Sequence, residues 1–314
     1  MFANERFSGH KSQILLTGTS GQLGGELVNT LAPLGEVIAP LRAQMDLSDA
    51  AGDFRSLRET IRAIQPRWIV NPAAYTAVDK AESEPDLAYA VNRDAVRAIG
   101  EEAQRIGAIV LHFSTDYVFD GQGSTPYVET DSTGPMGVYG ASKLAGETAL
   151  SGTGAGHMIF RTSWVYGSRG KNFLLTILKL AREKELLRIV GDQNGAPTWS
   201  RDLAAMTAAV MARCEADATG GSLADTVQRV GGIYHASGSG ETTWFGFAAE
   251  AVRLMKLAQP EVRWASIESI TTAEYPTPAK RPGNSRMSGE KLTKQFGWSM
   301  MDWHESLGKV LLEL

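Results

Sequence analysis

Gln13-Ile-Leu-Leu-Thr17-Gly18-Thr-Ser-Gly21-Gln-Leu-Gly24 runs an apolar stretch directly into three glycines spaced three apart. Leu23, Leu27 and Leu31 then recur at helical spacing, so the glycines join a strand to a helix. A tight turn at such a junction gathers backbone N–H groups and a helix N-terminus, an arrangement that receives a pyrophosphate. Glycine also punctuates chains without binding anything, so the flanking strand and helix carry the nucleotide reading.

Outward from the turn, short apolar runs alternate with helical stretches, as expected of a parallel sheet covered on both faces. Strands are expected at Gln13–Thr17, Glu36–Pro40, Trp68–Asn71, Ile109–Ser114 and Met158–Thr162, with helices at Phe54–Ile64 and Leu87–Ile106 between them. The fold class is therefore α/β, a Rossmann-like doubly wound parallel sheet over residues 13–167. Beyond Gly167 the alternation becomes irregular. Helix-like sequence at Phe173–Glu185 leads to the turn-rich Gly191-Asp-Gln-Asn-Gly-Ala-Pro197, which marks a smaller α/β substrate domain within 168–314. Gly232–Ser237 reads as another short strand that could return to the main sheet and make that domain discontinuous.

Composition excludes several classes. The 314 residues are 43% hydrophobic, enough for a substantial core, and the net charge of −4 with scattered basic residues lacks the footprint of a nucleic-acid binder. No apolar run approaches the ~18 residues of a membrane span. The first twelve residues mix Glu5, Arg6, His10 and Lys11 without the apolar core of a signal peptide, carry no interpretable motif and read as an extension. A cytoplasmic protein is expected. The single Cys214, in the helical-looking run Leu203–Ala216, has no intrachain disulfide partner and reads as packing. The five histidines form no pair or cluster at metal-ligand spacing, so the residues alone imply no metal.

The chemical end lies at the carboxyl edge of the sheet. Ile109–Ser114 runs into Thr115-Asp116-Tyr117, where a hydroxyl of Ser114 or Thr115 could bond a substrate carbonyl more strongly as its oxygen gains charge. Farther on, Tyr139-Gly-Ala-Ser-Lys143 places a phenol and an ammonium four apart, on one face of a helix. A cation beside a phenol that ordinarily titrates near ~10 favours the phenolate, which suits Tyr139 to proton exchange. This spacing arises readily by chance, so the glycine turn and strand end must support it. Residues 120–137, rich in Gly, Ser, Thr and Pro, read as a long loop over the substrate.

An NAD site would place an acid about 20 residues after the first glycine. Val37-Ile-Ala-Pro-Leu-Arg42 has none there; Arg42 is either a 2′-phosphate contact favouring NADPH or a solvated surface charge. Asp46 comes late for a ribose, near the adenine or as a helix cap. Asn71-Pro-Ala-Ala74 follows a strand, and its small residues allow close cofactor approach or serve the core.

Together, the glycine turn, Ser114-Thr-Asp-Tyr-Val-Phe119 and the Tyr139–Lys143 spacing resemble extended short-chain dehydrogenase/reductases. Within them, Asn71-Pro-Ala-Ala-Tyr-Thr-Ala-Val-Asp-Lys-Ala-Glu82, Phe160-Arg-Thr-Ser-Trp-Val-Tyr166 and Tyr275-Pro-Thr-Pro-Ala-Lys-Arg-Pro-Gly-Asn-Ser-Arg286 resemble the dTDP-4-dehydrorhamnose reductase family, from about residue 13 to the end. The resemblance implies reduction of the C4 ketone of a small-molecule dTDP-sugar, with NADPH, or NADH, as hydride donor. It implies Thr115 holding the ketone oxygen, Tyr139 donating the proton, and Lys143 binding the nicotinamide ribose while lowering the tyrosine pKa. Cofactor contacts are implied at Gly18, Ser20, Gly21, Gln22, Leu23, Gly24, Arg42, Asp46, Leu47, Ala73, Ala74 and Tyr75, besides Tyr139 and Lys143. Thr115, Asp116 and Trp164 would touch the sugar, Trp164 being otherwise a core aromatic. Arg281 and Arg286 would meet the diphosphate, or else form surface ion pairs.

Two features bear on finer points. Family members often carry Lys where this chain has Thr19. Some form homodimers around Mg²⁺ held by glutamates, for which Glu26 is the one position that can be placed; Glu26 is otherwise a helix-surface residue. Two rivals share the scaffold. Epimerases or dehydratases that recycle tightly held NAD would more naturally have an acid in place of Arg42, and the regulatory subunit of methionine adenosyltransferase looks similar in fold without this chemistry.

Overall fold

The computed structural model describes residues 12–218 and 221–314; residues 1–11 of the expected extension lie outside the described residues. Strand β1 (Gln13–Leu16) leads through the glycine turn to helix α1 (Gln22–Leu31), followed by β2 (Glu36–Ile38). Helix α2 (Arg55–Ile64) precedes β3 (Trp68–Asn71), α3 (Ala95–Ile106) precedes β4 (Ile109–Thr115), and α4 (Val138–Gly152) precedes β5 (His157–Thr162). The chain then builds α5 (Phe173–Glu183), β6 (Leu186–Val190), α6 (Ser200–Asp217) and α7 (Leu223–Val230) before β7 (Gly232–His235). Helix α8 (Trp244–Ala258), strand β8 (Ser266–Ile270) and helix α9 (Trp303–Leu311) follow.

Six of these strands form one parallel sheet in the order β7-β5-β4-β3-β1-β2. Side chains alternate across a strand, and here both faces are covered. Ile14 and Leu16 of β1 join a core with Leu203, Met206 and Val210 of α6. Leu15, between them, joins another with Leu57 and Ile61 of α2 and Val96 and Ile99 of α3. A continuous apolar strand is the consequence of that two-sided burial. Cys214 is buried within the α6 core, and burial pushes its thiol up to about 12, so it stays neutral and inert.

A separate core joins Tyr166, Leu174, Ile177, Phe247, Val252, Trp303 and Leu307. It underlies the smaller lobe, in which β6 pairs with β8. Because α6, α7 and β7 pack on the large sheet, the chain beyond residue 167 serves both cores.

Local differences from the sequence reading have physical causes. Strand β2 stops at Ile38, two residues before Pro40, which has no N–H for a ladder. The single helix expected at Leu87–Ile106 is a helix at Pro85–Tyr89, a π-helical turn at Ala90–Asp94, and α3. The helix expected to reach Glu185 ends at Glu183, because Leu186 begins the pairing of β6 with β8.

Candidate active site

Glycine 18 adopts φ +61°, which L side chains rarely adopt, and its missing Cβ would lie 2.9 Å from Ala73 Cα. At Gly24 a Cβ would lie 2.1 Å from the Gly18 carbonyl oxygen. Only glycine lets α1 start this close to the turn and the turn pack against the loop after β3. Gly21 precedes α1 as its cap residue and offers no side-chain cap, so the first N–H groups of the helix suit an anion. Gln22 turns elsewhere: its Nε2 donates to Val165 O at 3.3 Å and its Oε1 accepts from Asn172 Nδ2 at 3.0 Å, bridging the turn to the smaller lobe. Leu23 is buried and Ser20 is exposed.

Beyond β2, Arg42 is exposed; it donates to Ser48 Oγ at 3.1 Å and lies 3.6 Å from Asp46 Oδ1. Asp46 accepts from the Ser48 hydroxyl and N–H, and those bonds hold its carboxyl below the usual range. Leu47 packs partly buried against the α2–α3 core. On the other side, Ala73 and Ala74 are partly exposed, and Tyr75 is pinned by Asn92. The Asn92 side chain accepts from Tyr75 N at 2.8 Å and donates to Tyr75 O at 3.1 Å and to Ser142 Oγ at 3.0 Å. The π-helical turn thus ties the loop after β3 to α4, and such turns are frequent at functional sites. A mid-helix asparagine was the available signal.

Thr115 ends β4 and is buried; its hydroxyl donates to Asp116 Oδ1 at 2.9 Å. Asp116 is buried, with Oδ2 lacking a protein hydrogen-bond partner. Burial pushes its carboxyl up to about 6 against the pull of the Ser285 and Thr115 hydroxyls. Tyr139, in the first turn of α4, bonds Thr115, and its ring meets Tyr117 edge-on at 5.6 Å. The Thr115 hydroxyl has one proton, so it serves either the Tyr139 oxygen or the Asp116 carboxylate at any moment.

The tyrosine–lysine relation differs from the expectation. Lys143 is buried and its Nζ donates to Phe113 O at 2.6 Å and lies 3.2 Å from His112 Nε2, facing β4. Burial pushes Tyr139 up to about 12, and the opposing pull comes from Thr115, not from the lysine. The Lys143 ammonium is itself pushed down to about 8 by burial, with Glu147 opposing. His112, which no motif singled out, is part of this site, together with Asn71 at the head of Asn71-Pro-Ala-Ala74. Their signal was a histidine inside an otherwise apolar strand and an asparagine at a strand end.

Trp164 has φ +46° and stacks on Trp244 with centroids 3.7 Å apart. Gly195 makes room for it, since a Cβ there would lie 2.5 Å from the indole. The two arginines carry protein partners. Arg281 forms a bidentate pair with Asp79 at 2.9 and 2.8 Å, and Arg286 binds Glu241, Asn284 Oδ1 and Ser124 O. They fasten the proline-rich segment to Val78–Ala81 and to the 120–137 loop, respectively. Glu26 accepts from Arg201 and lies 3.3 Å from Arg169. Among the described residues no group of three or more His, Cys, Asp or Glu could hold a metal ion, so the Glu26 reading shifts from Mg²⁺ to ion pairing.

A doubly wound sheet with a glycine turn, a strand-end threonine and a Tyr/Lys helix defines a short-chain dehydrogenase/reductase. The RmlD substrate binding domain family matches residues 12–314. The dTDP-4-dehydrorhamnose reductase of Escherichia coli (strain K12) is 45% identical over 96% of this chain and 97% of its own. That of Burkholderia thailandensis is 43% identical over 96% and 99%. A solved dTDP-4-dehydrorhamnose reductase from Bacillus anthracis, in complex with NADP, superposes with a TM-score of 0.82 at 31% identity, covering 97% of this chain and 100% of that one. The chain belongs to the dTDP-4-dehydrorhamnose reductase family.

Proposed function

We propose that this protein catalyses the NADPH-dependent reduction of the C4 ketone of dTDP-4-dehydro-β-L-rhamnose to dTDP-β-L-rhamnose, in the cytoplasm. The observation that carries the proposal is the meeting of Thr115 and Tyr139 at the carboxyl end of β4, with Lys143 one turn along α4. The dinucleotide fits the cradle at Gly18 and Gly24, where a Cβ would intrude, and the uncapped start of α1. When bound, NADPH supplies the hydride.

The chain's own residues do the rest. Thr115 holds the ketone oxygen, and Tyr139 gives it a proton as negative charge develops there. A phenol held near 12 keeps its proton throughout the working range, so Tyr139 acts as an acid. Lys143, when charged, offsets the phenolate that proton transfer creates and holds the ribose. Trp164, supported by Trp244, offers an apolar face to the sugar. Arg281 and Arg286 reach the diphosphate by exchanging Asp79 and Glu241 for phosphate oxygens.

The test is loss of reduced-nicotinamide absorbance on mixing enzyme, NADPH and the product of the upstream 3,5-epimerase. Isomerisation of the substrate without NADPH consumption would overturn the proposal. Tyr139→Phe is expected to lower kcat by about 10²-fold or more. Undiminished turnover would remove Tyr139 as proton donor.

A further inference from the structure

A row of buried polar side chains crosses the sheet beneath the site. Asn71 of β3 and His112 of β4 are register partners in adjacent parallel strands, so their side chains share a face. Thr17, just past β1, accepts from the Ala73 N–H at 3.3 Å, and its hydroxyl donates to Asn71 Oδ1 at 2.6 Å. Asn71 Nδ2 lies 3.1 Å from His112 Nδ1, and His112 Nε2 lies 3.2 Å from Lys143 Nζ. Thr17, Asn71, His112 and Lys143 are all at most 2% exposed.

With the Asn71 amide in the orientation shown, the Ala73 N–H donates to the Thr17 hydroxyl oxygen, which gives its one proton to the Asn71 carbonyl. The Asn71 amide then donates to His112 Nδ1. The ring proton must sit on Nε2, where it points at Lys143, and a nitrogen that accepts it is an amine. A charged Lys143 demands the reverse: Nε2 becomes the acceptor, Nδ1 carries the proton, and the Asn71 amide turns over.

We propose that His112 is a positioning residue for the reaction: its tautomer sets whether Lys143 stands as amine or ammonium, and couples that state through Asn71 and Thr17 to the cofactor-side backbone at Ala73. The inference rests on Lys143 serving the proposed reduction. Burial favours it at both ends, since it keeps the imidazole neutral and brings Lys143 down to about 8. The other charges bearing on the pair are Glu147 of α4, bound bidentately by Arg161 of β5 at 2.9 and 2.7 Å, and His157 of β5. Coupling reaches the cofactor turn because Gly18 packs on Ala73.

The ring nitrogens of ¹⁵N-histidine-labelled protein, with no nucleotide added, read the tautomer by NMR, and His112→Gln assigns the signal. The Nε2–H form is expected above about pH 9, passing to Nδ1–H as Lys143 gains its proton near 8. One tautomer throughout that range would overturn the proposal. In turnover, His112→Phe is expected to lower kcat about tenfold or more with little change in the sugar KM, and His112→Gln, which keeps a polar atom facing Nζ, to recover most of the loss. Equal loss in both variants, or none in either, would also overturn it. Failure of the wild-type chain to reduce the sugar would strike the proposed function, while the tautomer measurement would still judge the row of bonds.

Discussion

Gly24→Ala tests the geometry of the cofactor turn against a neighbour that differs only in where its Cβ points. At position 24 the added carbon would lie 2.1 Å from Gly18 O, 2.6 Å from Gly18 C and 3.0 Å from Thr19 Cα, all backbone atoms. Ordinary contact begins near 3.4 Å, so α1 or the turn must move by more than an ångström. Such overpacking costs about 1–3 kcal/mol, from which the helix propensity of alanine over glycine returns about 0.5–1. The net expectation is a loss of about 1–2 kcal/mol. Gly25→Ala meets nothing closer than Thr19 O at 3.5 Å, so it retains the propensity gain and is expected to stabilise by about 0.5–1 kcal/mol. Denaturant unfolding measures both variants, and fluorescence titration measures NADPH binding. The displaced helix start is expected to weaken NADPH about tenfold or more in Gly24→Ala only. A Gly24→Ala protein as stable as Gly25→Ala, with unchanged affinity, would refute the cradle.

Asp116→Asn is expected to flatten the acid stability profile. The folded carboxyl titrates near 6 and an unfolded one near ~3.9, so its stabilising contribution is complete below about 4 and lost as pH rises through 6; denaturation at pH 5 and 7 would show the wild type losing about 1–1.5 kcal/mol relative to the variant. Turnover is expected to fall above about pH 8 with a one-proton slope as Lys143 deprotonates, while Tyr139, held near 12, contributes nothing in that range; a flat profile to pH 10 would contradict this. Arg42→Ala is expected to raise the NADPH KM about 5- to 30-fold and leave the NADH KM unchanged, which steady-state kinetics with both cofactors would check.

What was legible in the sequence was whatever local periodicity or backbone necessity dictates. The two-sided burial of β1 and β3 writes itself as short apolar runs, and the glycines at 18 and 24 declare a turn that admits no side chain. The π-helical turn had only a mid-helix asparagine as its signal, because the bonds of Asn92 to Tyr75 and Ser142 are made across the fold. The pairing of Arg281 with Asp79 and of Arg286 with Glu241 was not legible, because the partners are distant in sequence and meet only in the folded chain. The Tyr139–Lys143 spacing placed both residues on α4 correctly. It could not reveal that Lys143 answers to a histidine on the neighbouring strand.

Strand β7 completes the large sheet beside β5, yet the chain makes α5, β6, α6 and α7 between the two. During synthesis β5 therefore leaves the ribosome as an open edge, its outer N–H and C=O groups waiting for a partner not yet translated. Parallel pairing across so long a separation is slow, and an unfilled edge is where a neighbouring nascent chain can add itself. The order of the elements makes soluble yield sensitive to translation speed and chaperone supply, and conditions that slow nascent chains between β5 and β7 would lower it without touching any residue of the site.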